Sequence, residues 1–177
     1  DNPELSLKEF GAAKLYCDTL RAEGFEVEEN ICGIKTAFSG KFGSGKPVIG
    51  ILGEFDALSG LSQTAGAEEY APIVSGGSGH GCGHNLLGAG IAAAACALAY
   101  ALEQENLLGQ VVVYGCPEEE ICRGKIVMAN AHCFDRDDAA ISWHPADKNQ
   151  VSEEVFQAMT SRVFRFYGKS AHAAASP

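Results

Sequence analysis

Three short apolar segments, each followed by residues with polar side chains, constrain the fold of this chain more than any other feature. They comprise residues 48–52, 110–115 and 139–143, and segments with helical periodicity separate them. Apolar strands that alternate with helices predict an α/β fold, in which a mostly parallel sheet has helices on both faces. Functional groups in such folds gather beyond the carboxyl ends of the strands.

Acidic or imidazole side chains follow each of these three segments. Asp56 follows the first, the glutamate triplet 118–120 follows the second, and His144 follows the third. Because the carboxyl ends of parallel strands lie at one edge of a sheet, these distant parts of the chain are expected to meet there. Adjacent carboxylates repel each other unless a cation is nearby. This edge is therefore the predicted site.

The segment GHGCGHN, residues 79–85, places two imidazoles and a thiol at alternate positions between glycines. In extended backbone, alternate side chains point the same way, so His80, Cys82 and His84 can converge while the glycines allow close approach of the backbone. Thiolate and imidazole bind zinc and other divalent transition metals. The pattern predicts a metal-binding turn, with His144 as a further ligand. The alternative is a glycine-rich turn with incidental histidines.

Composition excludes several kinds of partner. A net charge of −10 would repel nucleic acids and anionic membranes, which leaves small-molecule substrates and cations. Residues 86–102 carry no charge, but their Ala and Gly content favours a buried core helix over a membrane span. The seven cysteines show no disulfide framework, and no secretory signal is visible, so we expect a cytoplasmic location.

Two local motifs give further expectations. Ser6 and Glu9 have the spacing of a capping box, which predicts that a helix begins there. Residues 40–46, GKFGSGK, match part of a phosphate-binding loop, but Pro47 stands where Ser or Thr is needed and a strand follows. We therefore predict a turn between two strands.

The combined motifs resemble the amidohydrolase family of co-catalytic metallopeptidases, which includes aminoacylase, hippurate hydrolase and auxin-conjugate hydrolases. The likeness is strongest to its p-aminobenzoyl-glutamate hydrolase subunits. The similar segments, in family order along almost the whole chain, are NPELS from Asn2, GEFDALSGLSQ from Gly53, GHGCGHNLLG from Gly79, PEEE from Pro117, WHP from Trp143 and GKSAHAAASP from Gly168.

The resemblance implies a role for each candidate residue. The implied metal ligands are Cys82, His84, Glu120 and His144. Glu119 is the implied general base, and Asp56 is implied to support the metal site. His172 is implied to bind substrate or to polarise the scissile carbonyl. His80 is expected to lie outside the ligand set. Which of Glu118, Glu119 and Glu120 is the base stays open, because the triplet matches in more than one register.

The resemblance also implies the reaction and the domain organisation. A water activated by one or two divalent ions, zinc or manganese, would hydrolyse the amide bond of an N-acyl amino acid or dipeptide-like substrate such as p-aminobenzoyl-glutamate. Residues 1–150 would form part of a zinc-peptidase-like catalytic domain. Residues 151–177 would begin an α+β lid domain that forms a homodimer, and the periodicity of residues 162–167 predicts a half-exposed strand there.

In the family, a last histidine ligand follows the lid domain. We therefore expect this chain to be part of a longer protein and to have weak activity alone. Two other functions remain open from the sequence. One is a cysteine hydrolase in which Cys82 is the nucleophile and His84 or His144 the base. The other is a non-catalytic protein in which the same ligands form a closed structural zinc site.

Overall fold

The computed structural model describes residues 2–151, 158 and 160–168. The chain divides into two compact units, Asp1–Ala146 and Asp147–Pro177. The α-helices and strands of the described residues all lie in the first unit, together with two 3₁₀ turns, Ile31–Gly33 and Glu119–Ile121. The α-helices and strands are α1 Phe10–Ala22, β1 Glu26–Glu29, β2 Phe38–Ser44, β3 Val48–Gly53, α2 His84–Gln104, β4 Gly109–Gly115, α3 Gly124–Asn130 and β5 Ala139–Ile141.

The five strands form one sheet in the order β1-β2-β4-β3-β5. The three segments predicted as strands are β3, β4 and β5, and β3 pairs in parallel with both others. An antiparallel pair, β1 and β2, extends the sheet beside β4 and makes it mixed. The predicted α/β class is confirmed. The glycine-rich segment at residues 40–46 forms the last part of β2 and the turn to β3, as predicted.

The central strand β4 shows why helices cover both faces of the sheet. Val111 and Val113 point to one face, where they join a buried cluster with side chains of α1 and α2. Val112 and Tyr114 point to the other face and join a cluster that includes Met128 of α3. Since strand side chains alternate between faces, a continuous apolar strand needs cover on both sides. Each fully buried side chain of this kind contributes about 1.5–3 kcal/mol.

Helix α2 is long and apolar enough to cross a membrane by length and composition alone. Its buried residues include Leu87, Ile91, Ala95 and Ala99, which are four residues apart and form one stripe along the helix. This stripe belongs to the cluster that covers the sheet, together with residues of β3 and β4. One face of α2 is therefore part of the core of the first unit.

The predicted capping box is wrong. Helix α1 begins at Phe10, and neither Ser6 nor Glu9 caps it with a side chain. Instead, the Ser6 hydroxyl donates a hydrogen bond to Asp56 Oδ2 at 2.7 Å, and Glu9 is completely buried. The carboxylate of Glu4 takes the capping role, because it accepts two backbone N–H groups of the first turn at 3.0 and 2.8 Å. Ser6 and Glu9 therefore bind residues that are distant in the sequence instead of capping the helix.

The second unit has no helix or strand among its described residues. The half-exposed strand predicted for residues 162–167 is thus not formed within the described part of this unit. A strand needs a neighbouring backbone to pair its N–H and C=O groups, and the described part of the unit supplies none. His172 lies outside the described residues. The lid and dimerisation roles of residues 151–177 stay predictions.

Candidate metal centre

Every predicted site residue except His172 lies at the carboxyl edge of the parallel strands. Asp56 follows β3, the acidic segment 118–120 follows β4, and His144 follows β5. The glycine-rich turn with Cys82 leads into α2, whose first residue is His84. Four separate chain segments thus converge on one location, which is the edge predicted from the strand pattern.

His84 is the central residue of this group and is completely buried. Its Nδ1 lies 3.0 Å from Asp56 Oδ1 and 3.1 Å from the Asp56 carbonyl oxygen. Both partners only accept hydrogen bonds, so Nδ1 carries a proton and donates it. Nε2 faces two other carboxylates, with Glu54 Oε2 at 3.1 Å and Glu119 Oε2 at 3.7 Å. It is therefore the nitrogen available to a metal ion.

The surroundings of His84 strongly favour positive charge. Burial by itself lowers the pKa of His84, but the carboxylates of Asp56 and Glu54 outweigh burial and raise it to about 11. The same contacts hold the pKa values of Glu54 and Asp56 below their usual range, although burial opposes this. The carboxylates that favour a protonated His84 also favour a bound cation at the same place.

Cys82 and His144 form the second part of the group. The Cys82 Sγ lies 3.3 Å from His144 Nε2. His144 Nδ1 donates to the carbonyl oxygen of Pro145 at 2.9 Å, so Nε2 is its free nitrogen. Ligand atoms of Cys82, His84 and His144 all lie within 4.8 Å of one another. Burial raises the pKa of the Cys82 thiol, so a metal would have to displace its proton.

The glycines of the turn allow close packing around these ligands. A Cβ atom on Gly79 would lie 1.8 Å from the carbonyl oxygen of Leu61, and one on Gly81 would lie 2.5 Å from the Leu61 side chain. Gly83 has a φ of +84° and would place a Cβ 3.0 Å from Cγ of Pro145. The alternation of glycine with ligand therefore lets a loop and the His144 segment pack against the turn.

Gly83→Ala is expected to destabilise the chain by about 1–2 kcal/mol, since alanine disfavours positive φ. It should also weaken zinc binding by at least about tenfold, because the new methyl group displaces the segment that carries His144. Chemical denaturation and zinc titration measure the two effects. Gly60→Ala is the matched control, because Gly60 has a φ of +76° and no neighbour within 4 Å. Equal zinc affinity of both variants would contradict this explanation.

The structure distinguishes the three glutamates of the acidic segment. Glu118 is 2% exposed, and its carboxylate pairs with Arg123. Glu119 and Glu120 have side chains that are 36% and 15% exposed, and their oxygens lie 3.7 and 3.8 Å from the ring nitrogens of His84. Burial, and then the nearby charge of Glu54, raises the pKa of Glu119. Glu118 is therefore engaged elsewhere, while its two neighbours line the centre.

Sequence reasoning missed the role of Glu9. Its Oε1 accepts the backbone N–H of Glu118 at 2.9 Å, and its Oε2 accepts the Thr36 hydroxyl at 3.2 Å. Asp56 Oδ2 accepts the N–H of Glu120 at 3.0 Å. The acidic segment is thus held at alternate amides by two buried carboxylates. Glu9 and Glu118 are far apart in the sequence, so no local pattern signals the contact.

Glu9→Ala is expected to lower the free energy of unfolding by about 1–3 kcal/mol, because it leaves the buried N–H of Glu118 without a partner. Urea denaturation measures the loss. Glu103→Ala, a change of an exposed glutamate on α2, is the control and should stay within about 0.5 kcal/mol of the parent chain. Identical stabilities of the two variants would remove Glu9 from the support of the acidic segment.

The residues of the centre fit a divalent cation. Among the described residues, Glu54 Oε2, His84 Nε2 and Glu120 Oε1 are buried atoms without a hydrogen-bond partner. Orphaned buried polar atoms are rare and costly in proteins. A cation beside Glu54 Oε2 and His84 Nε2, which are 3.1 Å apart, would satisfy these two atoms. Thiolate, imidazole and carboxylate together suit zinc, and the carboxylates also suit manganese.

Comparison with known proteins agrees with this geometry. Residues 50–167 match the model of Peptidase family M20/M25/M40. The chain belongs to this family. An M20 relative, a p-aminobenzoyl-glutamate hydrolase subunit of Escherichia coli (strain K12), is 45% identical over all 177 residues, which cover 37% of its length. The Xaa-Arg dipeptidase of Homo sapiens is 33% identical over 132 residues, which are 73% of this chain and 26% of that protein.

A solved M20 structure has the same fold. It is the YXEP protein of Bacillus subtilis, a dinuclear metal-binding peptidase, and it superposes with a TM-score of 0.66 at 28% identity. The match covers 78% of this chain and 38% of that one. The matches thus span between 26% and 38% of the length of these relatives. The family resemblance seen in the sequence motifs is confirmed.

Proposed function

We propose that this chain takes part in the metal-dependent hydrolysis of an amide bond in an N-acyl amino acid or dipeptide-like substrate, such as p-aminobenzoyl-glutamate. The observation that carries the proposal is the convergence of Cys82, His84 and His144, whose ligand atoms all lie within 4.8 Å of one another. Glu119 and Glu120 lie 3.7 and 3.8 Å from the ring nitrogens of His84. Membership of a peptidase family and the similarity to a p-aminobenzoyl-glutamate hydrolase subunit support the substrate class.

Cys82, His84, Glu120 and His144 would hold the divalent metal, zinc or manganese. When bound, such an ion lowers the pKa of water and polarises the scissile carbonyl. Asp56 keeps the proton on His84 Nδ1 and fixes the orientation of the ring, so that Nε2 faces the centre. The four ligands would thus bind the ion, while the Asp56 carboxylate positions the ring of His84.

Glu119 is the proposed general base. Its carboxylate accepts the proton of the attacking water and then delivers it to the leaving amine. The raised pKa of Glu119, caused first by burial and then by the charge of Glu54, makes it a better proton acceptor near neutral pH. Glu118 is unsuitable, since Arg123 holds its carboxylate. The role of His172 in polarising the carbonyl stays a prediction.

A cavity of about 780 Å³ lies beside the ligand turn and supports a small-molecule substrate. Its lining includes His80, Gly81 and Asn85, which are close in the sequence to the proposed ligands Cys82 and His84. The lining includes Glu4, and none of the described lining residues is Lys or Arg, so the cavity does not suit a carboxylate group of the substrate. The seven cysteines are free thiols, which is compatible with the cytoplasm. That location and a homodimer through residues 151–177 stay predictions.

A substrate panel tests the proposal. The zinc- or manganese-loaded chain is incubated with p-aminobenzoyl-glutamate, several N-acyl amino acids and dipeptides, and the released amine is quantified. We expect the metal-loaded chain to hydrolyse at least one amide substrate faster than the metal-free chain does. The matching ester substrates serve as a control for nonspecific acyl transfer. Release of amine from none of the amides at stoichiometric chain concentration would refute the proposal.

A further inference from the structure

A second cavity, of about 460 Å³, lies on the face of the sheet that α3 covers. Residues of the segment 28–32, before β2, form one part of its wall, and residues of the segment 132–136, after α3, form another. Tyr114, which points to this face, lines it as well. Among the described residues that line the cavity, none is a proposed metal ligand. Each of the two segments contributes one cysteine, Cys32 or Cys133.

The thiols of these two cysteines meet in the folded chain. Both residues are half-buried, and both pack against the apolar cluster that contains Tyr114 and Met128. Burial, and then a hydrogen bond with the Cys32 thiol, raises the pKa of Cys133. Cys32 and Cys133 are therefore close neighbours in space, although they are far apart in the sequence.

Backbone hydrogen bonds hold both cysteines in place. The Cys133 N–H donates to the Met128 carbonyl oxygen at 3.0 Å, and the Cys133 carbonyl oxygen accepts the Tyr114 hydroxyl at 3.2 Å. Cys32 is the middle residue of the 3₁₀ turn Ile31–Gly33, and the Ile31 N–H donates to the Ala37 carbonyl oxygen at 3.3 Å. Two thiols that the fold holds side by side react with each other far more readily than two free thiols do.

The backbone around this cavity adopts a conformation that side chains disfavour. Cys32 has a φ of 55° and a ψ of 21°, which is the left-handed region. Asn30 and His132, which also line the cavity, have φ values of 58° and 59°. Residues other than glycine seldom adopt this region, and such strain is concentrated at functional and switch sites. A small core residue at Cys32 would not require it.

We propose that Cys32 and Cys133 form a redox-sensitive dithiol site, which a low-molecular-weight disulfide converts reversibly into an intramolecular disulfide bond. The Cys32 sulfur attacks the reagent, forms a mixed disulfide and releases one molecule of reagent thiol. The Cys133 sulfur then attacks the Cys32 sulfur and releases a second molecule. The two cysteines lose two protons and two electrons, and the reagent disulfide takes up both to become two thiols.

The surroundings of Cys133 support this order of steps. Its raised pKa keeps the Cys133 thiol protonated near neutral pH, so it suits the second attack better than the first. Disulfides are easily reduced where the fold stabilises the thiolate that reduction releases. Burial of Cys133 does the opposite, which favours the disulfide once it has formed.

The disulfide would join the segment before β2 to the segment after α3. The first segment leads to Thr36, whose hydroxyl donates to Glu9, and Glu9 in turn accepts the N–H of Glu118. The second segment follows α3, which begins just after the acidic segment. A cross-link between distant residues restricts the unfolded chain and stabilises the folded one. Oxidation would therefore strengthen the framework on both sides of the acidic segment.

Thiol mapping of the 177-residue chain tests the proposal. The reduced chain is incubated with excess glutathione disulfide, the remaining thiols are alkylated, and tryptic peptides are analysed by mass spectrometry without reduction. Trypsin places Cys32 in residues 22–35 and Cys133 in residues 126–136, so the bridged pair has its own mass. We expect this pair in most of the chains and a rise of about 5–15 °C in the midpoint of thermal unfolding. Dithiothreitol should reverse both changes.

Cys32→Ser and Cys133→Ser should each lose the bridged pair and the rise in the midpoint. Cys122→Ser is the matched control and should keep both, since Cys122 is an exposed cysteine with a φ of 52° that does not line this cavity.

Three results on the parent chain would overturn the proposal, so it is tested even if a serine variant does not fold. They are complete alkylation of Cys32 and Cys133, a lasting mixed disulfide on Cys32, and a bond between other cysteines in place of this one. No step measures hydrolysis or requires a bound metal, so the outcome is independent of the proposed function.

Discussion

Glu119→Gln is expected to lower the rate of amide hydrolysis by about 10²–10⁴-fold, the usual contribution of a general base. The glutamine keeps the size of the side chain but cannot accept a proton from water. Metal content should stay unchanged, because Glu119 is not among the proposed ligands. A single-turnover assay with metal-loaded chain in excess over substrate measures the rate even when turnover is slow, and elemental analysis measures the metal.

Glu118→Gln is the matched control for this prediction. It makes the same chemical change one residue earlier, at a carboxylate that pairs with Arg123. Its effect on the rate should stay below about 100-fold, the lower end of a general-base effect. A larger loss in Glu118→Gln than in Glu119→Gln would move the base to the preceding residue. Unchanged hydrolysis in both variants would exclude the acidic segment from proton transfer.

Removal of the metal is expected to abolish hydrolysis, and added zinc or manganese should restore it. A bound ion lowers the pKa of water from about 15.7 to about 7, and no described side chain replaces that effect. The measurement is amine release before chelation, after chelation and dialysis, and after metal addition. Calcium is the control addition, since it binds oxygen ligands and is a poor match for Cys82 and His144.

The same experiment tests the rival mechanism in which Cys82 is a nucleophile. Burial raises the pKa of the Cys82 thiol, so the metal-free chain holds it protonated near neutral pH and weakly nucleophilic. Activity that survives chelation and disappears on alkylation of Cys82 would establish a cysteine hydrolase. Metal binding without hydrolysis of any substrate would instead support a structural metal site.

The elements that the sequence predicted well are those with strong local patterns. Strands β3 and β4 are continuous apolar runs, and α2 carries apolar residues at helical spacing. These patterns indicated whether each element is a strand or a helix and that it is buried. The cap of α1 was wrong because Ser6 and Glu9 have distant partners, Asp56 and Glu118. The spacing of residues within a motif cannot show that a side chain has a hydrogen-bond partner far away in the sequence.

The candidate site shows the same division. Cys82 and His84 were found because alternation with glycine is conspicuous, and His144 because it ends a strand. Glu9 was missed as a site residue and Glu54 was given no role, since the spacing of acidic residues does not distinguish a buried carboxylate from a solvated one. Their burial and their partners at His84 and Glu118 are visible only in the folded chain.

The sequence by itself determined the α/β class, the family and the group of residues that gathers at the carboxyl edge, because periodicity and motif spacing are local properties. Tertiary structure alone decided which glutamate is engaged by Arg123, which nitrogen of His84 and of His144 is free, and that Glu54 faces His84. These features depend on contacts between residues far apart in the chain, and their energies arise only once burial removes the competing water.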